Sequence, residues 1–223
     1  MSHPVFDVRG RTALVTGSSR GIGEALARGL AEAGCVIVLN GRDEAKLAQT
    51  RQELAESTGA TVFAVPFDVT DPDAVAAGIA QALETNLSSA FFVGREVARG
   101  MKSRGRVKIV NVCSVQSELA RPGITPYTAT KGGLKMLTKG MCADLGPSGI
   151  QVNGLAPGYF DTELNAALVA DEDFSAWIRG RTPAGRWGRI EDLVGALLFL
   201  CAPASDFVNG QLLHVDGGIT AVL

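Results

Sequence analysis

The sequence predicts a doubly wound α/β fold, a mostly parallel sheet covered by helices on both faces, in a single domain spanning residues 1–223. Three observations carry this. Short apolar, β-rich runs alternate with helical patterns at regular intervals, the signature of strand–helix–strand units. Glycine stands at 27 of 223 residues, against the ~16 that average usage gives, and with no three-residue period it marks tight junctions between elements. The apolar share of 46% and the charged share of 20% suit a chain that buries a core.

The elements follow in order. Arg11 to Thr16 reads as the first strand and Ile22 to Ala33 as the first helix, with Ile22, Leu26, Leu30 and Ala33 on one stripe. Cys35 to Leu39 is a second strand, and Asp43 is placed to cap a helix running to Ser57. Thr61 to Val65 is a third strand, after which Asp71-Pro72 opens a helix with proline in its first turn. From Pro72 through Ala82, and on from Leu87 to Met101, the pattern stays helical for about thirty residues with no strand between, longer than the ~8–20 of a globular helix. Alternation then resumes: strand Val107 to Val112, helix Pro126 to Leu145, strand Ile150 to Leu155, a segment over 157–188, helix Glu191 to Cys201, and a last strand Gln211 to Val215.

Charge and cysteine content narrow the function. With 21 basic and 23 acidic side chains, a net charge of −2 and no block of five like charges, nucleic acid is not an expected partner. The longest apolar run, Leu193 to Ala202, is ten residues, half of the ~20 a membrane span needs. Met1 to Arg11 lacks a signal-peptide apolar stretch. Cys35, Cys113, Cys142 and Cys201 are far apart, and only His3 and His214 can join them, so they read as four buried thiols in a cytoplasmic enzyme with no metal.

The stretch Thr16-Gly17-Ser18-Ser19-Arg20-Gly21-Ile22-Gly23 lies between the first strand and first helix, the Rossmann-type context in which glycines matter. Gly17 permits a tight turn, Gly21 and Gly23 allow close approach of a pyrophosphate, and the helix start offers free N–H groups. After the second strand come Asn40, Gly41 and Arg42, with no carboxylate to repel a ribose 2′-phosphate. Arg20 and Arg42 can reach one, which points to NADP(H) over NAD(H). A solvated Arg42 at a helix start is the plainer alternative. Asp68 and Val69 stand where the adenine edge is expected, although Asp68 is also a turn former.

Ser114 follows the strand ending at Val112, and Tyr127 and Lys131 sit one helical turn apart, on one face. A phenol of pKa ~10 is a poor base near neutrality, and a neighbouring ammonium favours its ionised form. Tyr127 can then exchange a proton with an alcohol or ketone oxygen that Ser114 steadies.

The glycine loop, Ser114 with Tyr127-x-x-x-Lys131, Asn86 in Thr85-Asn86-Leu87, Pro157-Gly158 with Thr162, and Val215-Asp216-Gly217-Gly218 together resemble the classical short-chain dehydrogenase/reductase family, from about Val8 to the C-terminus. The resemblance implies a tetrad of Asn86, Ser114, Tyr127 and Lys131, with Asn86 holding a relay water. It also implies nicotinamide contacts from Thr162 and the backbone after Pro157, and a homotetramer. The stretches around Ser114, LAPGYFDTEL and RTPAGRWG look most like the gluconate 5-dehydrogenase subfamily, which implies a sugar acid or polyol substrate. Gln116 and Glu118 are then candidates for its hydroxyls and Arg181 or Arg186 for its carboxylate, each also readable as a surface residue. Residues 157–188, with Trp177 and Trp187, read as a lid, or the tryptophans lie at a subunit interface.

One departure stands out. The family carries a central strand, an Asn-Asn-Ala-Gly turn and a helix start where this sequence passes from Leu83 to Asn86, roughly 20–30 residues in all. The expectation is that the polypeptide has residues omitted there, and a ~3.8 Å Cα spacing would instead mean an internal deletion and a dead protein. Alternatives to a sugar-acid oxidoreductase are a 3-oxoacyl-acyl-carrier-protein reductase, which wants a basic patch this mixed charge does not suggest, and a dinucleotide-binding module without catalysis. A serine hydrolase lacks its G-x-S-x-G elbow.

Overall fold

The structure is a computed structural model that describes residues 4–66, 84–102 and 107–223. Its strands are β1 (Thr12–Val15), β2 (Val36–Leu39), β3 (Val62–Ala64), β4 (Val107–Val112), β5 (Ile150–Pro157) and β6 (Leu212–Val215). The α-helices are α1 (Gly21–Glu32), α2 (Glu44–Thr58), α3 (Ser89–Met101), α4 (Thr125–Leu145), α5 (Ala166–Ala170), α6 (Glu172–Arg181) and α7 (Val194–Cys201). Every pairing between these strands is parallel, as the alternating pattern predicts.

Local signals place most of these elements. Asp43 caps α2, its carboxylate accepting from the N–H of Lys46 at 2.9 Å. Gly59 ends the same helix in the left-handed region, φ 67°, where glycine carries no steric penalty. In α4 the buried positions Lys131, Leu134, Thr138, Met141 and Leu145 recur at three and four residues, one stripe lying on the sheet. The helix predicted over Glu191–Cys201 is a 3-10 turn (Ile190–Leu193) leading into α7. Its Val194 sits where a side chain at Gly29 would stand, the branched carbons within 2.4–3.0 Å of that position, so α1 and α7 approach closely.

The strands form two three-stranded sheets, β1-β2-β3 and β4-β5-β6. Among the described residues no strand lies between β1 and β4, the place the missing family strand would take. The main core nevertheless crosses this seam: Ile37 and Leu39 of β2, Leu155 of β5 and Leu193, Leu197 and Leu200 around α7 belong to one apolar cluster. Helix α7 packs on both α1 and β4. Burial of apolar surface, at ~25 cal/mol per Å², therefore joins the halves where backbone hydrogen bonds do not.

Glu84, Thr85 and Asn86 belong to a π-helical turn (Glu84–Ser88) that runs straight into α3; Leu83, with the expected omission beside it, Asp71-Pro72 and Ala82 lie outside the described residues. The cysteine expectation needs correcting: Cys35 and Cys113 are buried, but Cys142 and Cys201 are half-buried. All four are free thiols, and no cluster of three or more potential metal ligands occurs among the described residues. No described helix is long and apolar enough to cross a membrane.

Candidate active site

The glycine loop joins β1 to α1 and is pinned to the end of β2. Ser18, fully buried, donates its N–H to the carbonyl of Asn40 at 2.9 Å, and its Oγ accepts from the N–H of Asn40 at 3.0 Å. Gly17 and Gly21 both take positive φ, 63° and 61°. At Gly23 a Cβ would lie 2.3 Å from the carbonyl oxygen of Gly17, so only glycine lets the helix start this close under the loop. Arg20 precedes α1 without a side-chain cap, which leaves first-turn N–H groups facing outward as an anion site. Ser19 is half-buried, its carbonyl accepting from Thr50 Oγ1 at 3.1 Å, and Ile22 packs its side chain against the core.

Arg20 and Arg42 are both exposed beside this loop, and the end of β2 carries no carboxylate. That donor set fits a phosphorylated dinucleotide. Asn40 itself is only 1% exposed and donates its amide to the carbonyl of Val65 at 3.2 Å. These bonds tie β2, the glycine loop and the end of β3 together at the place where Asn40 is expected to border the cofactor. Asp68 and Val69 lie outside the described residues.

At the carboxyl end of β4, Ser114 sits in extended backbone at the head of a 3-10 turn, its hydroxyl accepting from the N–H of Gln116 at 3.1 Å. Burial pushes the Tyr127 phenol's pKa up, the nearby Ser114 hydroxyl opposes this, and Tyr159 adds to the rise. Lys131 was expected to pull the phenol down, yet burial prevails. Lys131 Nζ lies 5.7 Å from the Tyr127 ring centre and donates to the carbonyl of Val112 at 2.8 Å. Burial lowers the lysine's own pKa, because desolvation disfavours the cation. Asn86 is half-buried in the π-turn that packs on α4.

The end of β5 completes this rim. Gly158 donates its N–H to Val215 at 3.0 Å, and a Cβ there would meet Asp216 Cα at 2.8 Å. Burial alone would raise the Asp216 carboxyl, but bonds from Thr220 and Gly218 outweigh it and hold the pKa below its ordinary value. Thr162, 9% exposed, stands four residues beyond Gly158. Residues 157–188 close on themselves at the base, where Phe160 bridges Gly188 and Gly188 donates to Tyr159 at 2.8 Å. Above that base, Tyr159 makes edge-on ring contacts with Phe174, Trp177 and Trp187 at 6.0, 6.4 and 5.9 Å.

The fold therefore gathers Ser114, Tyr127, Lys131 and Gln116. The comparisons with known proteins agree with this geometry. Residues 11–85 match a family profile described as short chain dehydrogenase, and residues 76–220 one described as Enoyl-(Acyl carrier protein) reductase. The chain is 52% identical, over 257 residues and the full length of both chains, to the gluconate 5-dehydrogenase of Gluconobacter oxydans.

The chain belongs to the short-chain dehydrogenase/reductase family.

It is also 41% identical to the 5-keto-D-gluconate 5-reductase of Escherichia coli, covering 96% of this chain and 97% of that one. Among solved structures, a gluconate 5-dehydrogenase from Burkholderia cenocepacia in complex with NADP and tartrate superposes with a TM-score of 0.93 at 48% identity, covering 99% of each chain. An alignment of 257 positions against 223 residues leaves at least 34 positions of the Gluconobacter protein without a counterpart in this short-chain dehydrogenase/reductase. The expected missing strand, with its loops and helix start, is of this order.

Three predicted substrate residues are already engaged elsewhere. Glu118 pairs with Lys135 at 2.6 Å along α4. Arg181 donates to the carbonyl of Val222 at 3.0 Å. Arg186 pairs with Asp192 at 2.7 Å, which holds that carboxyl down at about 2. A cavity of about 220 Å³ beside Arg186 is lined by Tyr159, Phe160, Asp192 and Asp216, with neither Ser114 nor Tyr127 among its walls. Gln116 is 7% exposed, with Nε2 donating to the Tyr159 hydroxyl at 3.2 Å and Oε1 without a partner. Sequence reading missed Arg121, on the loop between Ser114 and Tyr127, whose guanidinium lies over Phe174.

Proposed function

We propose that the chain is an NADP-dependent oxidoreductase interconverting a secondary alcohol and a ketone on a sugar acid, with gluconate and 5-ketogluconate the first pair to test. The observation that carries this is the convergence of Ser114, Tyr127 and a buried Lys131, whose Nζ lies 5.7 Å from the Tyr127 ring centre and is fixed by the carbonyl of Val112. Tyr127 exchanges the proton with the substrate oxygen, and Ser114 holds that oxygen in place. Lys131 biases the phenol toward ionisation, and Asn86 holds a relay water toward the lysine. The nicotinamide, when bound, supplies or accepts the hydride.

The glycine loop with Gly17, Ser19, Gly21, Ile22 and Gly23 holds the pyrophosphate, and Arg20 and Arg42 meet the 2′-phosphate. Pro157, Gly158 and Thr162 receive the carboxamide. Residues 157–188 act as a lid over the substrate, their closed base and aromatic crown suiting that part. The assembly is a cytoplasmic homotetramer. Large apolar side chains exposed on α3 (Phe91, Phe92) and α4 (Met136) suit burial against a second copy.

A spectrophotometric screen of NADPH and NADP⁺ against sugar acids, polyols and acyl thioesters tests the reading. Turnover of 5-ketogluconate with NADPH supports it, and turnover of an acyl thioester alone would replace it with the carrier-protein reductase. Arg42→Ala should raise the Michaelis constant for NADP⁺ and leave that for NAD⁺ unchanged. Equal effects on both would overturn the assignment of Arg42.

A further inference from the structure

We propose that Arg121 anchors the substrate's carboxylate, with Gln116 Oε1 receiving a hydroxyl of the same molecule, so that the loop between Ser114 and Tyr127 selects acids over neutral polyols. The inference rests on the sugar-acid reading above and assigns the charge recognition that Arg181 and Arg186 do not provide.

Two buried polar atoms without partners meet the same aromatic group. Gln116, more than nine-tenths buried, spends Nε2 on the Tyr159 hydroxyl and leaves Oε1 unpaired. Arg121 Nε is buried and equally unpaired, and its Nη1 reaches only the carbonyl of Pro122 at 3.5 Å. Native folds satisfy nearly all such atoms, and an acceptor and a donor left open together describe a polar ligand carrying both a hydroxyl and an anion.

The placement connects them. The Arg121 guanidinium stands 5.6 Å from the Phe174 ring centre, Phe174 is 6.0 Å from Tyr159, and Tyr159 receives Gln116. Gln116 also donates its backbone N–H to the Ser114 hydroxyl at 3.1 Å, so the group borders the serine beside Tyr127. Among the described residues Arg121 has no acidic partner, whereas Arg186 and Arg189 both face Asp192. A guanidinium beside a ring and without an acidic partner can bind a carboxylate through paired N–H groups.

The test compares gluconate with sorbitol, its uncharged counterpart, in the wild type, Arg121→Gln and Arg121→Lys. The ratio of kcat/KM for gluconate over sorbitol should fall about 10–100-fold in Arg121→Gln, the range of a lost charge-assisted hydrogen bond, and recover partly in Arg121→Lys. An unchanged ratio would overturn the proposal.

Binding gives a second readout, independent of turnover: quenching of Trp177 and Trp187 fluorescence by gluconate should be present in the wild type and lost in Arg121→Gln. If the wild type turns over neither compound but shows this difference, the reaction reading fails and the anchor stands. If gluconate leaves the wild-type fluorescence unchanged, or binds both variants as it binds the wild type, the anchor fails. Should Arg121→Gln not fold, Arg121→Lys decides alone, wild-type selectivity and quenching in it counting against the proposal.

Discussion

Lys131 Nζ donates to the carbonyl oxygen of Val112 at 2.8 Å, so the strand that delivers Ser114 also fixes the lysine one helical turn below Tyr127. One backbone oxygen thereby sets the spacing of three side chains. Replacing Lys131 with Met should cost stability as well as rate, because Val112 loses a charge-assisted hydrogen bond, at about 1–3 kcal/mol. Turnover should drop at least ~100-fold. Denaturation midpoints and steady-state rates measure the two effects, and a variant with wild-type kcat would remove the lysine from the chemistry.

Tyr127→Phe deletes the phenol hydroxyl and leaves the ring in place. Turnover should vanish while NADPH still binds within a few-fold of wild type, read by fluorescence titration. Loss of nucleotide binding together with turnover would mean that the ring is a structural support and the phenol no acid or base.

The pH profile follows from the direction of the phenol shift. Burial raises Tyr127 above its usual ~10, and alcohol oxidation needs the deprotonated form, so the oxidation rate should keep climbing into the alkaline range. Ser114 pulls the same pKa down, so Ser114→Ala should displace that rising limb to higher pH as well as lower its plateau. A limb displaced to lower pH would contradict that influence of Ser114 on the phenol.

Gly23→Ala puts a carbon where the Gly17 carbonyl oxygen leaves only 2.3 Å. The loop must move away from α1, at a cost of about 1–3 kcal/mol. Thermal unfolding should shift downward and NADPH affinity should fall with it. Unchanged affinity would show that the pyrophosphate is held elsewhere.

How far the sequence exposed this arrangement depends on distance along the chain. Asp43 at the start of α2, the stripe in α4 and the Tyr127–Lys131 pair are local patterns, and each stands where its spacing puts it. The Glu118–Lys135 pair joins residues 17 apart on two elements, and a one-dimensional reading cannot see a pair formed by a loop folding back on a helix. Asn40 ends a strand beside the glycines, and only the fold shows that its amide also reaches Val65 past β3. Arg121 carried no motif, and its interest lies in a ring supplied from position 174. Cys142 and Cys201 were assigned to the core by residue type alone, which does not fix depth.

The seam between β1 and β4 bears on precision rather than on stability. In the described residues, the half that carries the glycine loop and the half that carries Ser114 and Tyr127 share packed side chains but no ladder of backbone bonds. A ladder locks register in whole steps, whereas packed side chains yield by fractions of an ångström. Hydride transfer falls off steeply with small misplacements, so this molecule's catalytic tolerance is set by how tightly α7 clamps its two plates together. Warming should blunt activity well before either plate melts.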